Sequence, residues 1–130
     1  TANSARSQLA AAQWNHRHSI PAVSAGTHPG PAVHPRAIAA ERRRGLNVEG
    51  GSTRHISDTL TSADLVVAVC DLVHEELPAD LPRTHWSVPD PVRFGTDSAF
   101  DDALSTLTLR IDRLARHFDS PPATTDKEPR

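Results

Sequence analysis

Thr1-Ala2-Asn3-Ser4-Ala5-Arg6-Ser7-Gln8-Leu9-Ala10 opens the chain. Small residues from Thr1 to Ala5 let backbone amides turn inward, Arg6 offers a planar fork of donors suited to a tetrahedral oxyanion, and Ser7 begins an alanine-rich run of high helix propensity. An anion held there faces a helix N-terminus, where unpaired N–H groups and the helix dipole favour negative charge. The stretch reads as an anion cradle leading into a helix over residues 9–18, with Trp14 in the core.

Working outward, Ala22-Val23-Ser24-Ala25-Gly26-Thr27 predicts a short strand ending in a glycine turn, followed by a Pro-Gly-Pro loop at residues 29–31. Pro35 can begin a second helix that carries Ile38 inward and stops near Gly45, with Leu46 and Val48 returning to the core. Residues 53–60 form a polar connection with a helical turn at 57–60. Asp64-Leu65-Val66-Val67-Ala68-Val69-Cys70 is an unbroken apolar run between aspartates, the pattern of a strand buried on both faces. A brief helix at residues 72–77 precedes a last strand, Thr84-His85-Trp86, and the loop Ser87-Val88-Pro89-Asp90-Pro91. From Asp97, the residues Phe100, Ala103, Leu104, Leu107, Ile111, Leu114 and Phe118 recur every three or four positions and define one apolar stripe on a long helix. Strands alternating with helices imply an α/β fold with a parallel sheet, whose ligands bind at the carboxyl ends of the strands. Residues 1–118 are expected to form one domain and residues 119–130, which have little to bury, a disordered tail.

The Asn-Ser-Ala-Arg-Ser-Gln wording of residues 3–8 resembles the Cys-x5-Arg-Ser signature loop of the low-molecular-weight protein tyrosine phosphatase superfamily, and is most similar to its arsenate reductase branch. The resemblance implies a four-stranded parallel sheet in order 2-1-3-4 with helices on both faces. In the family pattern a strand and a nucleophilic cysteine immediately precede Thr1. The sequence contains no methionine. It is therefore read as a fragment lacking its first, central strand, which would leave the segments 22–26 and 65–69 unpaired along facing edges.

What the resemblance implies about chemistry can be carried over residue by residue. Thr1, Ala2, Asn3, Ser4, Ala5 and Arg6 would bind the oxyanion, with Asn3 bracing the loop. The Ser7 hydroxyl, the loop and the helix N-terminus would lower the pKa of the thiol at the loop's base. Asp90, stiffened by Pro89 and Pro91, looks like the general acid that protonates the leaving oxygen. Cys70 matches the place where thioredoxin-coupled members carry a second redox cysteine, but no further thiol follows it. A buried structural cysteine is the preferred reading, with a redox role as the alternative. A reductase of this kind needs an external thiol of the mycothiol or glutathione type, or a redoxin, and no other cofactor.

Composition narrows the partners. A net charge of −2 gives no electrostatic reason to propose a nucleic-acid or membrane surface, and Arg42-Arg43-Arg44 suits the C-terminal end of a solvated helix. A single cysteine excludes an internal disulfide and fits the reducing cytoplasm. The eight histidines lack metal-ligand spacing. No run approaches the ~18 apolar residues of a membrane span, and the complete protein is expected to be monomeric. Three functions compete: arsenate reduction through a cysteine adduct, inactive in the chain as it stands; hydrolysis of phosphomonoesters; and non-catalytic oxyanion sensing in a domain fused to a DNA-binding module. The absence of tyrosine, with Trp14 and Trp86 the only tryptophans, weighs against an aromatic phosphotyrosine pocket.

Overall fold

A computed structural model describes residues 3–46, 52–61 and 65–119. The elements are α1 (Arg6–Arg17), α2 (Pro35–Arg43), a 3₁₀ turn (Ile56–Asp58), β1 (Val67–Ala68), α3 (Asp71–Glu76), β2 (Thr84–His85), α4 (Pro91–Phe94) and α5 (Asp97–Asp119). The apolar stripe of α5 organises the core. Phe100, Leu104, Leu107 and Ile111 are essentially inaccessible, and α1, α2 and α4 all pack against this helix. At its far end the inward position is taken by buried Ala115. Leu114 is only partly buried and Phe118 is 45% exposed, so the expected stripe is interrupted before its last turn.

Helix α2 ends as its sequence predicts. Gly45 is left-handed (φ 71°), its N–H bonds the Arg42 carbonyl at 3.0 Å, and the Leu46 N–H bonds the Glu41 carbonyl at 2.9 Å, which satisfies the last carbonyls and turns Leu46 into the core. The inward face of α2 is Ala37, Ala40 and Glu41 instead of Ile38, which is half-buried. Positions i, i+3 and i+4 share a helix face, and alanines let helices approach closely. The arginine cluster faces solvent and α5: Arg43 pairs with Asp101 at 2.7 Å and Arg44 donates to the Ser105 hydroxyl at 2.7 Å.

The sheet is smaller than the sequence suggests. Among the described residues its ladder consists of β1 and β2, parallel, with Val67 opposite Thr84 and Ala68 opposite His85. The strand expected over residues 22–27 contributes one parallel bridge, between Gly26 and His55. Of the expected strand 64–70, the described residues 65–70 are regular only at β1, and Leu65 is 54% exposed where the sequence pattern implies burial on both faces. A strand needs a neighbour to satisfy its backbone, and among the described residues none pairs with 23–25 or with the outer edge of β1. Between these segments lies a groove of about 410 Å³, lined by residues 20–25 and 65–69 together with Ala10 and Trp14 of α1 and Ile111 and Leu114 of α5.

Val48 lies outside the described residues, as does the expected disordered tail beyond Asp119. Among the described residues no helix is long and apolar enough to cross a membrane.

Candidate functional site

Helix α1 begins without a side-chain cap. Ala5 occupies the N-cap position and offers no hydrogen-bonding side chain, so the first-turn N–H groups are left for another acceptor. Immediately before it, Asn3 adopts a left-handed backbone (φ 56°), uncommon for a residue with a side chain, and is 2% exposed. Its carboxamide explains how that conformation is held. Oδ1 accepts the Arg54 N–H at 2.9 Å, and Nδ2 donates to the Ser7 hydroxyl at 2.8 Å. The Ser4 carbonyl accepts the His34 N–H at 2.8 Å, which fastens the loop to the start of α2. Ala5 is buried. Thr1 and Ala2, the first two residues expected to bind the oxyanion, lie outside the described residues.

Arg6 leaves the first turn of α1 toward the loop after β2. Its Nη1 donates to the Val88 carbonyl at 2.7 Å and its Nη2 stands 3.8 Å from Asp90 Oδ2. A guanidinium has five N–H donors, so these contacts orient the fork and leave donors for an anion. Val88, 3% exposed, anchors that loop in the core. Asp90 caps α4, a helical turn absent from the sequence reading: its Oδ1 accepts the Val92 N–H at 3.0 Å, buried Pro91 takes the first helical position, and left-handed Gly95 (φ 66°) closes the turn. The structure thus brings Asn3, Arg6, Ser7 and Asp90 into one cluster. Asp90 carries a carboxylate 33% exposed and within reach of the cradle.

Cys70 ends the β1 segment, and its carbonyl accepts the His74 N–H of α3 at 3.1 Å. It is in no disulfide and is 7% exposed. Reactive cysteines are partly exposed and sit in electropositive surroundings, so this burial favours the structural reading.

Three contributors were missed from the sequence. Gln8, buried in the first turn of α1, reaches back to the loop; the Arg54 amide holds Asn3 from a distant segment; and the Val88 carbonyl orients Arg6. Gln8 alone carried a signal, as a polar residue at a position the helix buries. The other two act through backbone atoms, which side-chain identity does not reveal.

Residues 1–123 match the family described as low molecular weight phosphotyrosine protein phosphatase. Among curated relatives, the arsenate reductase of Brevibacillus brevis is 36% identical over 98 residues, covering 70% of this chain and 72% of that protein. The fold is similar to the crystal structure of arsenate reductase from Archaeoglobus fulgidus, with a TM-score of 0.72 and 26% identity over 86% of this chain and 91% of that one. It is also similar to the structure of a protein tyrosine phosphatase, with a TM-score of 0.80 and 22% identity over 94% of this chain and 93% of that one.

Proposed function

Because the chain belongs to the low-molecular-weight phosphotyrosine protein phosphatase family, we propose that its cluster of Asn3, Arg6, Ser7 and Asp90 is the oxyanion site of an arsenate reductase. The observation that carries this reading is the meeting of Arg6, at an uncapped helix N-terminus, with the Asp90 loop. First-turn amides and the Arg6 fork hold the oxygens of arsenate. A thiolate at the base of the loop attacks arsenic while Asp90 donates a proton to the departing oxygen, which leaves as water. An external thiol, of the mycothiol or glutathione type or a redoxin, then attacks the sulfur of the adduct. The two thiols become a disulfide, arsenic takes up the electron pair, and arsenite is released.

The site's place in the sheet belongs to the same proposal. The groove between 22–25 and 65–69 is the lane of a central strand, giving a four-stranded parallel order 2-1-3-4. In support, Val23 and Leu65 are 60% and 54% exposed and line that groove with Trp14, Trp86 and Ile111. A strand filling that lane would deliver its carboxyl end to the cradle, as ligand sites in parallel sheets require.

With buried Cys70 as its only thiol, the 130-residue chain is expected to show no turnover. A version extended ahead of Thr1 by an apolar strand ending in cysteine is expected to reduce arsenate when supplied with a small thiol. In that version Arg6→Ala should lower kcat/KM at least about a hundredfold, the scale of losing a principal electrostatic donor. Full activity in Arg6→Ala, or arsenate reduction by the unextended chain, would refute the assignment. A second reading, phosphomonoester hydrolysis, has one observation in its favour: Phe94, 66% exposed in the turn that Asp90 caps, can present a ring to an aryl ester. Faster turnover of p-nitrophenyl phosphate than of arsenate by the extended version would select it.

A further inference from the structure

Gln8 is a polar side chain in the first turn of α1, beside fully buried Leu9, and is itself only 9% exposed. A buried carboxamide costs stability unless its polar atoms are bonded. Its Nε2 lies 2.8 Å from the Ser52 carbonyl, 3.0 Å from the Asn3 carbonyl and 3.2 Å from Asn3 Oδ1. All three neighbours are acceptors, so the position calls for a donor. The same Asn3 Oδ1 receives the Arg54 N–H, and the Thr53 hydroxyl donates to the Gly30 carbonyl at 2.6 Å. Gln8 thus joins the cradle loop and the start of α1, which are neighbours in sequence, to the distant segment 52–54.

We infer that Gln8 is a positioning residue for the cradle, its carboxamide holding Asn3 in the left-handed conformation and tying the loop to residues 52–54. The physical reason lies in the backbone. A left-handed residue reverses the course of the loop just ahead of the α1 N-terminus, so its conformation decides where the following N–H groups point. Asparagine tolerates that conformation better than most residues with a side chain, but still at a cost relative to the right-handed region, and here its surroundings fix it. Asn3 is held through both of its ends: the carbonyl and Oδ1 by Gln8, Oδ1 also by Arg54, and Nδ2 by Ser7. Removing the Gln8 donor frees the Asn3 carbonyl and severs the loop from Ser52. The effect on oxyanion affinity rests on the oxyanion reading above; the effect on the loop does not.

The test uses the 130-residue chain, amide hydrogen exchange at Arg54, and calorimetry with inorganic phosphate. Gln8→Met keeps the length of the side chain and removes its donors. The Arg54 amide is expected to exchange about tenfold faster, and phosphate to bind about tenfold more weakly, on the scale of one lost buried hydrogen bond, while α5 amides keep their protection. In Gln8→Glu an ionised carboxylate faces three oxygens, whereas its protonated form can donate to one. That variant should match Gln8→Met at pH 8 and return toward wild type at pH 5, each measured against wild type at the same pH. Recovery on acidification with α5 protection unchanged at both pH values marks a local loss at the cradle, because a global cost of burying a carboxylate would lower α5 protection at pH 8 as well. Wild-type exchange at Arg54 in both variants, or a Gln8→Glu defect equal at pH 5 and pH 8, overturns the inference. If Gln8→Met loses α5 protection as well, the pH arm decides. A wild-type chain that binds no phosphate removes the oxyanion reading, and exchange at Arg54 then decides the role of Gln8.

Discussion

Phe100, Leu104 and Leu107 on α5 have no accessible surface, whereas Val23 and Leu65, apolar residues flanking the groove, are 60% and 54% exposed. The two regions draw on similar residue types and reach opposite degrees of burial. A helix closes its own backbone hydrogen bonds, so α1, α2 and α5 need only bring apolar faces together. A strand must borrow its partners. The helical layer is accordingly closely packed and laced by Arg17–Asp112 and Arg36–Asp97 contacts at 2.7 Å, while among the described residues the ladder is two residues long on each strand. The cradle falls on the finished side. Its described part, residues 3–8, is built at the start of α1 and braced from α2 and residues 52–54, although among the described residues the sheet beside it has two strands.

The largest expected effect tests that contrast directly. Phe100→Ala should destabilise the chain by about 3–5 kcal/mol, the range for emptying a fully buried aromatic site, while Val23→Ala should change stability by less than about 0.5 kcal/mol. Urea unfolding of both variants provides the measurement. Equal losses would mean that the groove lip is as closely packed as the helical core.

A second prediction concerns the acid inside the helical layer. Burial raises the Glu41 carboxyl from 4.5 to about 7. The folded protein therefore holds this proton more tightly than the unfolded chain does. The favourable contribution is full below pH 4.5 and is lost as pH rises to about 7, beyond which the penalty is constant. Glu41→Gln should gain about 1–3 kcal/mol at pH 8, gain almost nothing at pH 4, and flatten the stability profile between. A parallel offset at all pH values would mean that Glu41 is not the titrating group.

The smallest effect belongs to the surface of the same layer. Arg43→Ala removes the 2.7 Å contact with Asp101, both side chains being 39% exposed, and should cost no more than about 0.5 kcal/mol, less at high salt. A larger loss, indifferent to salt, would point to packing by the arginine stem.

How far the sequence could be read follows the same division. The long helix, the Gly45 stop and the cradle wording of residues 3–8 are legible because helix periodicity, capping and loop chemistry are local. The inward face of α2 was misread at Ile38 because close approach to α5 favours Ala37 and Ala40, which is a property of the neighbour. The α4 turn was missed because Pro89-Asp90-Pro91 read only as loop, although Asp90 before a proline is also a helix cap.

By itself the sequence determined the longer helices, the alternation that makes the fold α/β, and the residue types of the cradle, since each depends on neighbours along the chain. Only the tertiary structure decided that Arg6 meets Val88 and Asp90, that Arg54 and Gln8 contact Asn3, and that among the described residues the ladder is limited to β1 and β2. The reason is physical. Backbone carbonyls and amides look alike in every residue, so which of them pair across the molecule depends on where distant segments come to rest.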